Sequence, residues 1–126
     1  MNQHENIIKE IYNQLKDIFN TSEQGMYIYL DDENKICNMK FADMLGYDSA
    51  EEWAAVKISF PEAFVAEESQ ETIINTFREA MEKGIGASIQ VSWKKKSGDL
   101  VDSNVILVPI SYQGHRIALH FISEIE

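Results

Sequence analysis

Apolar and polar positions in the last third of the chain follow a period of two. Ala87 to Trp93 alternates, and turn chemistry at Lys95-Lys96-Ser97-Gly98-Asp99 interrupts it. Val101 to Ser111 is a second run, Tyr112-Gln113-Gly114-His115 a second turn, and Arg116 to Ile122 a third run. Three such runs joined by short glycine-containing turns predict an antiparallel meander. The middle run is apolar on successive residues from Val105 to Ile110. Side chains alternate across a strand, so both faces of this sheet require cover.

Upstream the period changes. Residues 3 to 19 predict a helix, because Ile8, Ile11, Leu15 and Ile18 recur at spacings of three and four, with Ile7 and Phe19 widening the stripe. An isolated helix of this length is marginal, so the stripe must pack on something. The candidates are its own domain and a second copy of the chain; a parallel homodimer through Ile8, Ile11, Leu15 and Ile18 is the preferred reading. Met26 to Leu30 and Lys35 to Asn38 predict a hairpin around the turn Asp31-Asp32-Glu33-Asn34. Short helices follow: Phe41 to Leu45, ended by Gly46, and a segment opened by the capping box Ser49-Ala50-Glu51-Glu52, with Trp53 and Val56 facing inward. Phe60-Pro61 is read as a break. A long helix from Ser69 to Lys83 is capped by Ser69 and closed by Gly84, with Ile73, Ile74, Phe77 and Met81 on its apolar face. The organisation expected is an N-terminal amphipathic helix over residues 1–20 and one α+β core over 21–126.

Charge narrows the function classes. The chain has 126 residues and a formal net charge of -10. That excess opposes a nucleic-acid surface and docking on anionic lipid. Lys94-Lys95-Lys96 beside Ser97-Gly98 reads as a solvated turn. A single cysteine, Cys37, forbids an internal disulfide. No apolar run reaches the roughly 20 residues that span a bilayer, and no secretory signal opens the sequence. A cytoplasmic domain without direct membrane contact is expected.

Several segments in order resemble the PAS domain, a sensory module of signalling proteins. Asn38 to Tyr47 resembles that family's pattern of Asn, an aromatic and Leu-Gly-Tyr. Phe60-Pro61-Glu62 is similar to its His-Pro-Glu-Asp segment, with Phe60 in place of the His and Ala63 in place of the Asp. Lys96-Ser97-Gly98 resembles its Lys-Asp-Gly turn, and Pro109-Ile110 its later Pro-Ile. Ser123-Glu124-Ile125-Glu126 is similar to the Asp-Ile-Thr ending that leads into an effector domain, with Glu at both flanking positions. The resemblance implies a five-stranded antiparallel sheet of order 2-1-5-4-3 with helices over one face around a central pocket. It also implies a sensor or interaction module of a larger protein, such as a two-component histidine kinase, with an effector domain beyond Glu126.

Candidate chemistry is sparse. Cys37 precedes Asn38 without the rest of the motif by which light-oxygen-voltage members attach flavin, and it reads as a buried structural thiol. No His lies between Ser69 and Lys83, where oxygen-sensing members carry a haem ligand; His4, His115 and His120 lie elsewhere. No set of residues has metal-site or nucleophile-base spacing, and no catalytic residue is assigned. No covalent cofactor and no haem are expected; a small, largely apolar ligand is the first choice and flavin the second. The candidate pocket lining is Phe41, Met44, Trp53, Phe64, Phe77 and, as a polar contact, Asn104. The bland alternative for Asn104 is an outward-facing side chain. The rival function is a small cone-shaped α+β enzyme of the isomerase or dehydratase kind. It would need a shielded titratable group, such as an Asp–His pair, in its cavity.

Overall fold

The structure, a computed structural model, describes residues 3–125. Strands β1 (Gly25–Tyr29), β2 (Lys35–Cys37), β3 (Ala87–Lys94), β4 (Leu100–Tyr112) and β5 (His115–Glu124) form one antiparallel sheet of order β2-β1-β5-β4-β3. This is the expected order, with β5 at the centre. The β4–β5 turn is Gln113-Gly114, with φ of 48° and 80°. Positive φ at both positions matches the right-handed twist of the strands it joins.

Register assigns the two faces. Tyr27 pairs with His120 and His120 with Leu107, so these three share a row. Met26, Phe121 and Ile106 form the next row, on the opposite face. Helices α2 (Met39–Met44), α3 (Ala50–Ala54), α4 (Phe60–Phe64) and α5 (Glu67–Lys83) cover the Tyr27 face, hereafter the inner face. Helix α1 (Gln3–Thr21) lies on the outer face, where Ile7, Ile8, Ile11 and Phe19 pack against Met26, Ile28 and Ile117.

Local signals explain most helix boundaries. Asn38 caps α2: its side chain accepts from Phe41 N at 3.0 Å and from Met26 N at 2.9 Å, and donates to Gln24 O at 3.0 Å. One residue thereby ties α2 to β1. Ser49 accepts from Glu52 N at 3.0 Å, and Glu52 reaches back to Asp48 N rather than to Ser49 N. Gly84, at φ 68°, closes α5 in the left-handed conformation.

Two boundaries differ from the sequence reading. Phe60-Pro61 opens α4 rather than breaking the chain, because proline is tolerated in the first turn, where no intrahelical donor is needed. Helix α5 begins at Glu67, so Ser69 is inside it; the Ser69 hydroxyl accepts from Ser92 N at 3.0 Å and ties α5 to β3. The outer face is also less complete than a strand apolar on both sides predicts. Val105 and Leu107 are buried on the inner face, while Ile106 on the outer face is 47% exposed.

Candidate functional site

The inner face carries a dense aromatic core with a cavity at its side. Tyr27 stacks on Phe41 at 5.2 Å between centroids and meets Trp93 edge-on at 5.9 Å. Trp53 stacks on Phe64 at 5.1 Å. Trp93 Nε1 donates to Ser103 Oγ at 2.7 Å, and Ser103 Oγ donates to Val91 O at 3.0 Å, which satisfies these two side chains. Lys35 on β2 also points inward. Its Nζ donates to Asp32 O at 2.6 Å, Ala54 O at 3.2 Å and Val56 O, and lies 5.5 Å from the Trp53 ring. Burial holds this ammonium below the usual lysine range, against the pull of Asp32 and Asp31.

The cavity encloses about 170 Å3 between the sheet, α4 and α5. Tyr27, Tyr29 and His120 line it from the sheet, and Phe60, Pro61, Ile73, Ile74 and Phe77 from the helices. Tyr29 meets Phe60 at 5.0 Å and Phe77 at 5.4 Å, both edge-on. Its hydroxyl donates to Asp32 Oδ1 at 2.9 Å, and Asp32 also accepts from Phe60 N. Burial, reinforced by Asp32, raises the Tyr29 pKa well above the phenol range.

His120 is the polar member of the wall. It is 1% exposed and stacks flat on Tyr27, 3.9 Å between centroids at 9°. Burial pushes its pKa down to about 3, so the ring is neutral at physiological pH. Its Nδ1 is buried without a hydrogen-bond partner among the described residues, as is Nε1 of Trp53.

The sequence-derived lining is only partly assembled. Phe77 lines the cavity. Phe41, Trp53 and Phe64 are fully buried in the adjoining aromatic core, where they fill space rather than bound it, and Met44 packs half-buried on the same cluster. Asn104 is a correction: it is exposed on the outer face, paired with Ser123 and Gln90, one residue out of phase with Val105. Sequence reasoning missed His120. The available signal was its parity on β5, shared with Ala118 and Ile122, in an otherwise apolar run. Cys37 is buried, as expected, and burial raises its pKa out of the reactive range.

The outer face corrects the proposed helix stripe. Ile8 and Ile11 are buried against their own sheet, Ile11 at 2% exposure, so they are not free for a partner. Leu15 is half-buried and Ile18 is 52% exposed. Ile18 lies one turn beyond Gln14, whose side chain reaches Tyr112 on β4 at 3.2 Å. On the outer face of β4 and β5, Val108, Leu119 and Phe121 are half-buried and Ile106 is exposed. Among the described residues no His, Cys, Asp and Glu converge as a metal site, and no helix is long and apolar enough to cross a membrane.

No protein-family model and no curated protein matches the sequence significantly. Solved structures do match. The PAS domain of an HTR-like protein from Haloarcula marismortui superposes with a TM-score of 0.63 at 20% identity, over 98% of each chain. A PAS domain from a two-component sensor histidine kinase gives 0.67 at 13% identity, over 93% of this chain and 98% of that one. A PAS domain from Colwellia psychrerythraea gives 0.70 at 19% identity, over 91% and 97%. Sheet order, the four helices α2 to α5 over the inner face and superposition over nearly the whole length agree: the chain has the PAS fold.

Proposed function

We propose that this chain is a sensory PAS domain of a larger signalling protein, that it binds a small molecule in the inner-face cavity, and that it dimerises through the outer face. The observation that carries this reading is the position of β5. His120 on β5 lines the cavity, while its neighbours Leu119 and Phe121 lie on the partly uncovered outer face. A molecule that displaces His120 therefore acts on the strand that carries the apolar outer surface. An apolar patch of that kind usually marks an interface. The partner proposed is a second copy in parallel orientation, joined through Leu15 and Ile18 of α1 together with Ile106 and Phe121. The similarity to a histidine-kinase PAS domain supports an effector domain following Glu126, and a cytoplasmic setting is part of the same proposal.

The enzyme reading is weaker on chemistry. His120, the titratable side chain best shielded in the cavity, is neutral, and no described carboxylate lines the wall beside it. Flavin, the second choice on sequence grounds, exceeds the volume of this cavity. Light scattering tests the dimer. The parent is expected to be dimeric at micromolar concentration, and Ile18→Glu combined with Ile106→Glu to give a folded monomer. Both positions are exposed, so the fold tolerates the charges. A monomeric parent refutes the dimer, and a coding sequence without a kinase or other output domain beyond Glu126 refutes the signalling role.

A further inference from the structure

We infer that the inner-face cavity takes an uncharged molecule built on a single aromatic or heteroaromatic ring, with one polar substituent that pairs with His120; this rests on the sensory reading of the same cavity. Size comes first. The cavity holds about 170 Å3. An apolar cavity of about 150 Å3 accommodates benzene, whereas drug-sized ligands occupy about 300–1,000 Å3. One ring with a substituent fits; the three fused rings of a flavin and the macrocycle of haem do not.

The walls select for flatness and against charge. Tyr29 stands edge-on to both Phe60 and Phe77, and such ring edges and faces favour a flat aromatic guest over a branched aliphatic one. No lining residue is formally charged, and Asp32, which holds Tyr29 and Phe60, already accepts from both. An ionic guest would lose its hydration without gaining a counter-ion. His120 supplies the polar contact. Its ring lies in the cavity wall and is fixed by the stack on Tyr27. A neutral imidazole nitrogen either donates or accepts according to tautomer, and a guest hydroxyl matches either. Ile74 lines the cavity and is solvent-exposed, which places the mouth at the first half of α5.

The test titrates the 126-residue chain with four probes: benzene, phenol, benzoate and flavin mononucleotide. Thermal shift and the 15N shifts of the His120 ring are the readouts. Phenol should raise Tm, move the ring nitrogens and bind about tenfold tighter than benzene, the gain of one net hydrogen bond. Benzoate and flavin mononucleotide should give no saturable shift. His120→Phe should abolish the preference for phenol over benzene. Ile74→Trp, at an exposed position, should lose phenol binding while keeping the parent's circular dichroism. Benzoate or flavin mononucleotide binding as tightly as phenol overturns the ligand class and leaves the sensory reading intact. Phenol affinity unchanged in Ile74→Trp, or no saturable binding by any probe, overturns the inference outright, while the dimer and the downstream output domain stand or fall on their own measurements.

Discussion

Lys35→Met isolates an unusual contribution to stability. Lys35 is 3% exposed on a short edge strand, and its ammonium closes the carbonyls of Asp32, Ala54 and Val56. Two of those carbonyls lie at the end of α3 and just past it, where no backbone donor follows in the helix. Methionine keeps most of the stem and removes only the amine. Hydrogen bonds from a charged group contribute about 1.5–3 kcal/mol each, so three at the low end total about 5 kcal/mol. Against this, the variant no longer buries an ion, a penalty of several kcal/mol after relaxation of which the low end, about 2 kcal/mol, is returned for an ammonium with three carbonyl partners. The net loss expected is about 3 kcal/mol, or roughly 10 °C in Tm for a domain of this size. Urea unfolding followed by far-UV circular dichroism measures it, with Lys40→Met, at an exposed position, as a control expected to stay within about 0.5 kcal/mol of the parent. A Lys35→Met variant as stable as the parent would refute the reasoning, since charge burial would then cancel all three bonds.

Two further outcomes follow from the inner face and its edge. The His120 pKa is lowered from 6.5 to about 3, so below pH 6.5 the unfolded chain takes up a proton that the folded one refuses. Stability should fall by about 1.4 kcal/mol per pH unit as pH drops from about 6 toward 3; pH-dependent urea midpoints should show this component missing in His120→Gln, and an identical slope in the variant would sink the assignment. Asn38→Ala removes a helix cap and leaves Met26 N without its acceptor, for a loss of about 2–3 kcal/mol by chemical denaturation; a loss under about 0.5 kcal/mol would show that water replaces the side chain.

Strands were legible because alternation and turn chemistry are local, while their order was legible only through the resemblance to the PAS domain. Ala87 to Trp93, the Gln113-Gly114 turn and Gly84 each carry their own signal. The long helix and its apolar face were legible for the same reason, although Ser69 was misplaced. A serine that accepts from a neighbouring strand is indistinguishable in sequence from one that accepts from its own helix. The cavity was harder. Phe41, Trp53 and Phe64 have the composition of a pocket, and only three-dimensional packing shows that they fill one another's space. Asn104 required the phase of β4, which the apolar run Val105 to Ile110 conceals because it alternates nothing. The cis packing of Ile8 and Ile11 is a tertiary fact, since a stripe suits its own sheet and a partner equally.

The distribution of indole rings has an optical consequence. Both tryptophans of the chain, Trp53 and Trp93, are fully buried on the inner face, each about 6 Å from Tyr27. The outer face has no indole; its aromatic side chains are tyrosines and phenylalanines such as Tyr112, Phe19 and Phe121. Intrinsic emission excited at the red edge of absorption therefore reports on one side of the sheet alone. Entry of a ring into the cavity changes the surroundings of Tyr27 and, through it, both emitters. Undocking of α1 leaves them untouched and stays dark, so a two-colour experiment with an extrinsic dye on α1 would separate events on the two faces in time.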